Sequence, residues 1–177
     1  MKHFLAFCLL QLVAVVAFSQ YKVTDEGSSV KFKIKNFGLE TEGSFTGLQG
    51  TMTFDPNDLS KSRIELSVDA NTVNTDNNMR DNHLRKEDYL DVQQYPRISF
   101  VSTGITVDNN AHFTAAGHLT IKNTTRDITI PFTAVAKDGG YLFAGEFRLN
   151  RKDFKVGGGS TISNGLTVLF SVLGKKG

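Results

Sequence analysis

A chain of 177 residues has room for one domain of ordinary size. With 21% charged residues and a net charge of +2 it lacks the basic excess of a nucleic-acid binder, and three prolines exclude a proline-rich linker. Val, Ile, Thr and Phe supply 53 of the 177 residues, the composition of an all-β protein.

The chain opens on Lys2 and an apolar run from Phe4 to Phe18, broken only by Gln11. Ala17 and Ser19 put small residues three and one positions before a cut after Ser19, so residues 1–19 read as a secretory signal peptide. The run is shorter than the ~20 residues of a membrane span. Cys8, the lone cysteine, lies within it, so the exported chain carries none. Residues 20–177 are then the folded domain, placed in the periplasm or secreted, with no stable membrane insertion once the signal is removed.

From Val30 onward the chain alternates apolar and polar residues, the period of half-buried strands. Val30, Phe32 and Ile34 open the series; Met52 and Phe54 follow, then Ile64, Leu66, Val68 and Ala70. Ile98 and Phe100 come next, then Phe113, Ala115, Gly117, Leu119 and Ile121. Ile128, Ile130, Phe132, Ala134 and Ala136 keep the phase, as do Tyr141, Phe143, Gly145, Phe147 and Leu149. Leu166, Val168, Phe170 and Val172 end it. Asp55-Pro56-Asn57-Asp58, Asp108-Asn109-Asn110, Lys122-Asn123-Thr124-Thr125 and Asp138-Gly139-Gly140 are turn signals between these runs. About eight antiparallel strands result, each with one apolar face, which must pack as two sheets or close as a barrel. Only residues 74–94 break the pattern. There Asp76 or Asn77 can cap a short helix carrying Met79 and His83 on one side, and Lys86-Glu87-Asp88-Tyr89-Leu90 reads as a second short helix or turn.

Catalytic motifs are few. The Gly-x-Ser-x-Gly turn of serine hydrolases is missing, and Gly157-Gly158-Gly159-Ser160-Thr161 lacks the lysine of a phosphate loop and reads as a plain loop. His112 and His118 share a strand face but lie ~20 Å apart, too far to share a metal. Arg80-Asp81-Asn82-His83-Leu84 with Asp88 is the one polar constellation, readable as an acid/base pair, a weak metal site, or an ion pair that holds a lid. The inward face mixes phenylalanines with Ala115, Gly117, Ala134, Ala136 and Gly145. Such a face makes either a tapered core or a channel whose bore the small residues set. In the second case Phe at Gly117 or Ala134 would block the channel and leave the fold intact.

Several stretches together resemble the YceI-like polyisoprenoid-binding family. They are Phe37-Gly38, Gly43-Ser44-Phe45-Thr46-Gly47-Leu48-Gln49-Gly50, Arg80-Asp81-Asn82-His83-Leu84, Tyr95-Pro96-Arg97-Ile98-Ser99-Phe100, Gly117-His118-Leu119-Thr120-Ile121-Lys122 and Arg151-Lys152-Asp153-Phe154. They run in family order over residues 21–173. The resemblance implies an eight-stranded antiparallel lipocalin-like barrel with a short helical insert near residues 74–94. It implies an exported binding protein, not an enzyme, that holds a polyisoprenoid or isoprenoid quinone and needs no cofactor. Fatty acids or fatty amides, and a lipid-modifying enzyme with His83 as base, are the alternatives. A homodimer is compatible with this reading. The expected wall is Phe32, Ile34, Phe45, Phe54, Phe100, Phe113, Leu119, Phe132, Phe143, Phe147 and Phe170, and the expected lid and head-group contacts are Met79, His83, Leu84 and Tyr89. Three positions depart from the family: Tyr89-Leu90 where paired Phe is common, Lys155 where Gly is usual, and Asn36 where His is common.

Overall fold

The computed structural model describes residues 20–109, 111–158 and 161–177. The expected signal peptide, residues 1–19, lies outside the described residues, as do Asn110, Gly159 and Ser160 of two expected loops. Ten strand segments form one antiparallel sheet: β1 (Gln20–Val23), β2 (Ser29–Asn36), β3 (Leu39–Phe45), β4 (Gln49–Thr53), β5 (Arg63–Asp69), β6 (Arg97–Asn109), β7 (His112–Ile121), β8 (Thr124–Lys137), β9 (Gly140–Asn150) and β10 (Ile162–Lys176).

The sheet closes on itself. β10 pairs with β9 on one side; on the other, its residues 174–176 pair with β1 and its residues 162–171 with β2. β1 and β2 therefore follow one another along a single edge, and β4 and β3 face them in turn. Ten segments, with two staves built of two segments each, make an eight-stave meander barrel. Closure explains why one face of every strand is apolar without a second sheet to cover it. The two broken staves bend at the same level. There the Asp25 carboxylate accepts from the backbone N–H of Gly47 and Leu48, both at 2.8 Å, which ties the β1–β2 corner to the β3–β4 corner.

The expected alternation is realised along β7, where Phe113, Ala115 and Leu119 are buried and His112 and His118 face solvent. Ala136, expected inside, is exposed, because β8 runs past the end of the core into its hairpin with β9. The interruption at residues 74–94 contains helix α1 (Asn78–Leu84), whose N-cap Asn77 accepts from the N–H of Arg80 at 3.0 Å. Turns follow, closed by bonds from the N–H of Leu90 to Leu84 O and of Asp91 to Lys86 O. This insert crosses the barrel end at which β2 ends and β10 begins. At the other end Phe54 packs edge-on against Phe113, Tyr141 and Phe143 at 5.2 Å each, and Tyr21 against Tyr141 at 5.6 Å. That aromatic cluster fills the bore as an edge-to-face core.

Candidate binding cavity

Between the aromatic plug and the insert the barrel encloses a cavity of about 300 Å³. Its wall is almost wholly apolar. The expected wall residues Phe32, Ile34, Phe45, Phe100 and Leu119 line it, as do Phe132, Phe143, Phe147 and Phe170. The two remaining expectations are corrected: Phe54 and Phe113 are buried but lie below the cavity, in the plug. They share a face with the wall residues, yet stand deeper along the barrel axis.

On the cavity wall, phenylalanine rings reach over glycines of the neighbouring strand. Phe32 faces Gly43 across β2–β3, and Phe170 faces Gly145 across β9–β10. Phe100 leans over Gly117 on the diagonal. A Cβ added at Gly43 would lie 2.6 Å from Cε1 of Phe32; at Gly117 it would lie 2.7 Å from Cζ of Phe100, and at Gly145 2.9 Å from Cζ of Phe170. The glycines are seats for rings, the pairing that rescues glycine in a sheet. This overturns the expectation that Gly117 sets an empty bore. A side chain there would strike the Val101 carbonyl and the Phe100 ring, so Gly117→Phe disrupts the fold rather than blocking a channel. Ala134 also falls outside the cavity wall, packed against the core beside Phe143.

The insert forms the roof. Val73, just before it, and Leu90 within it are buried against Phe32, and Leu84, Tyr89, Thr75 and His83 reach the cavity. Met79, expected as a contact, is 84% exposed, because a seven-residue helix lying on a barrel mouth turns most of its surface outward. Two members of the polar constellation hold the start of the insert. Buried Asp81 accepts from the backbone N–H of Thr75 at 2.9 Å and from its hydroxyl at 2.5 Å. Arg80 donates to the same hydroxyl and to the Thr75 carbonyl, both at 2.6 Å. Asp81 and Arg80 thus grip Thr75 together, where a mutual ion pair was one expectation. His83 packs edge-on against Tyr89 at 4.8 Å. These two side chains separate the cavity from a polar hollow bounded by Glu87, Asp88, Lys122 and Lys155. Among the described residues no three His, Cys, Asp or Glu side chains gather as metal ligands would.

Further arginines fasten the rim. Arg85 donates to the carbonyls of Asn71 and Val73, and Arg97 to those of Gly47 and Ser67. Buried Arg151 donates to the carbonyls of Val156, Ile162 and Ser163. Sequence reasoning missed these roles, since arginine–carbonyl contacts leave no spacing signal. It also missed Val73 and Leu90; for Val73 the lone apolar side chain among polar neighbours was the available clue. Lys155 has φ 56°, the left-handed region, which accounts for the glycine usual there in the resembled family. Asn36 lines the cavity and accepts from the Thr161 hydroxyl at 3.2 Å.

Residues 21–173 match the model of the YceI-like domain. The chain belongs to the YceI-like family. The YceI protein of Salmonella arizonae is 30% identical over 169 residues, covering 88% of this chain and 87% of its own. BcnA of Burkholderia cenocepacia superposes with a TM-score of 0.81 at 24% identity, over 85% of this chain and 98% of that one. A polyisoprenoid binding domain of Saccharophagus degradans superposes with a TM-score of 0.73 at 12% identity, over 91% of this chain and 100% of that one. Both confirm the closed lipocalin-like barrel, and the YceI-like motifs Arg80–Leu84 and Arg151–Phe154 fall at the mouth of its cavity.

Proposed function

We propose that this protein sequesters one long apolar lipid, a polyisoprenoid or the tail of an isoprenoid quinone, and that its action is burial rather than catalysis. The apolar cavity, plugged at one end and roofed at the other, carries this reading. Wall residues on β10 run from Ile162 to Val172. At strand rise and barrel tilt that is roughly 25 Å along the axis. A single acyl chain spans one leaflet, about half of a ~30 Å hydrocarbon core. A cavity of that length takes an extended chain of either class, and the polyisoprenoid binding domain among the structural neighbours favours the isoprenoid. A chain of about forty carbons at ~0.3 kcal/mol per heavy atom gains ~12 kcal/mol, a nanomolar affinity. Along most of its length the wall meets such a tail with apolar side chains. The polar head is accommodated where His83 and Tyr89 meet the outer hollow.

The polyisoprenoid binding domain among the structural neighbours supports the ligand class. Against an enzyme stands the engagement of Asp81 by Thr75, which leaves His83 without that carboxylate as an orienting partner. Export belongs to the same proposal: the exported chain begins near Gln20 and works in the periplasm or outside the cell. Among the described residues no helix is long and apolar enough to cross a membrane.

Native mass spectrometry of protein purified from its own host, followed by organic extraction, tests the reading. Recovery of a long isoprenoid in about equal amount to protein is expected. An empty protein that takes up no apolar chain after stripping refutes it. N-terminal sequencing of the same sample checks the cut after Ser19.

A further inference from the structure

The β2–β3 hairpin ends in Phe37-Gly38-Leu39. Phe37 is 76% exposed and Leu39 74%. Phe37 also sits at φ 50°, a left-handed conformation that Gly, Asn or Asp adopt with least strain. The fold thus gains neither burial nor conformational ease from this side chain.

The tip stands on the rim of the cavity. Asn36 pairs with Leu39 on one side and with Ile162 on the other, and both Asn36 and Ile162 line the cavity. The plug of Phe54 and Tyr141 lies at the opposite end. Together the two apolar side chains expose roughly 300 Å², well short of the ~800 Å² that each partner buries in a stable protein interface. A tip two side chains wide, with Lys35 beside it, has the form of an interfacial anchor whose lysine stays at head-group level. Nearby charge largely cancels, since Lys33 is bound by Glu40 at 3.3 Å and by Glu42 at 2.8 Å. Apolar insertion rather than attraction to anionic lipid must then hold the tip in place.

We propose that Phe37 and Leu39 are a membrane-docking tip that seats the cavity mouth on a bilayer surface while the lipid passes in or out. This rests on the lipid-binding reading for its purpose, but the docking is measured separately.

The test is flotation of the purified protein with phosphatidylcholine vesicles, set beside its melting temperature and its uptake of an apolar polyene probe from solution. Phe37→Asn with Leu39→Thr is expected to lower vesicle partition about tenfold or more, with probe affinity unchanged within about twofold. The melting temperature should hold or rise, because Asn suits a positive φ. Wild-type protein that does not float, a variant that floats as well as wild type, or flotation only on vesicles containing anionic phosphatidylglycerol overturns the proposal. A lowered melting temperature in both the double variant and Leu39→Thr alone overturns it too, since the tip would then be part of the packing. Flotation through the tip without probe uptake leaves docking standing and refutes the lipid-binding reading. Uptake without flotation does the reverse.

Discussion

Replacing Gly43 by Ala should narrow the cavity while leaving the barrel folded. The added Cβ would collide with Cζ of Phe32, and would lie 2.6 Å from its Cε1 and 2.9 Å from Cγ2 of Thr75. Ordinary carbon contact begins near ~3.5 Å, so the ring must retreat by about 1 Å. It can move only toward the cavity that it lines, because Val73, Leu90 and Phe45 pack against it on other sides. Tilting the ring off its rotamer costs about 0.5–1.5 kcal/mol. Removing a glycine from a strand returns roughly 0.5–1 kcal/mol, so the net change in stability is within about 1 kcal/mol. For a domain of this size that shifts Tm by no more than ~4 °C. A bound chain must push the ring back against the new methyl, an overpacking of ~1–3 kcal/mol, which lowers affinity roughly 5- to 150-fold. Gly117→Ala is the contrast. There the new atom meets the Val101 carbonyl within the β6–β7 ladder, so the sheet itself must shift and Tm should fall well beyond that of Gly43→Ala. Thermal melts and titration of stripped protein with an apolar polyene measure both quantities, and Phe32→Leu in the Gly43→Ala background should restore binding. Equal losses of Tm in the two variants, or full affinity in Gly43→Ala, would refute the idea that glycine seats keep the bore open.

Phe54→Ala should destabilise the barrel by about 3–5 kcal/mol in chemical denaturation, since the ring is buried among four aromatic neighbours. Thr75→Val keeps the shape but removes the hydroxyl that joins Arg80 to Asp81; a loss of ~1–3 kcal/mol and faster hydrogen exchange over residues 74–95 are expected. The Glu26 carboxylate accepts from Lys175 at 2.7 Å, and that bond, with the charge of Lys175 behind it, holds its pKa below the ordinary carboxylate value. Because the folded value lies below the unfolded one, the small stabilisation is complete above the ordinary carboxylate range and is lost as pH falls through the folded value. An NMR titration of Glu26 should show the depression, and Lys175→Met should abolish it.

Much of the fold was legible because period-two alternation and turn residues are local properties of the chain. β5, β7 and β9 carry the face they were expected to carry, and Asn77 caps the helix as its type predicts. The choice between sandwich and barrel was not legible from pattern, since it depends on whether β10 meets β1, a pairing of Tyr21 with Lys176. Depth was not legible either: Phe113 and Leu119 alternate on one strand, yet one belongs to the plug and the other to the cavity. Gly117 and Gly145 misled for a related reason. Spacing shows which face a glycine occupies, and says nothing of the ring that a neighbouring strand lays across it.

Closure through β10 and β1 has a consequence for chain connectivity. The N–H of Gly177 donates to the carbonyl of Gln20 at 3.3 Å, so these two residues are neighbours. From stave to stave, every other contact in the ring is between successive parts of the chain. The barrel is in effect a circle cut at one seam. Hairpins such as β8–β9 can form early, whereas the seam must bring residues from opposite ends of the domain together, so ring closure should come late in folding. The position of the cut is correspondingly arbitrary: a short linker joining 177 to 20, with new ends opened at Asp138-Gly139, should give a circular permutant with the same barrel. Both the old and the new cut lie at the plugged end, so a tether placed at either leaves the mouth clear.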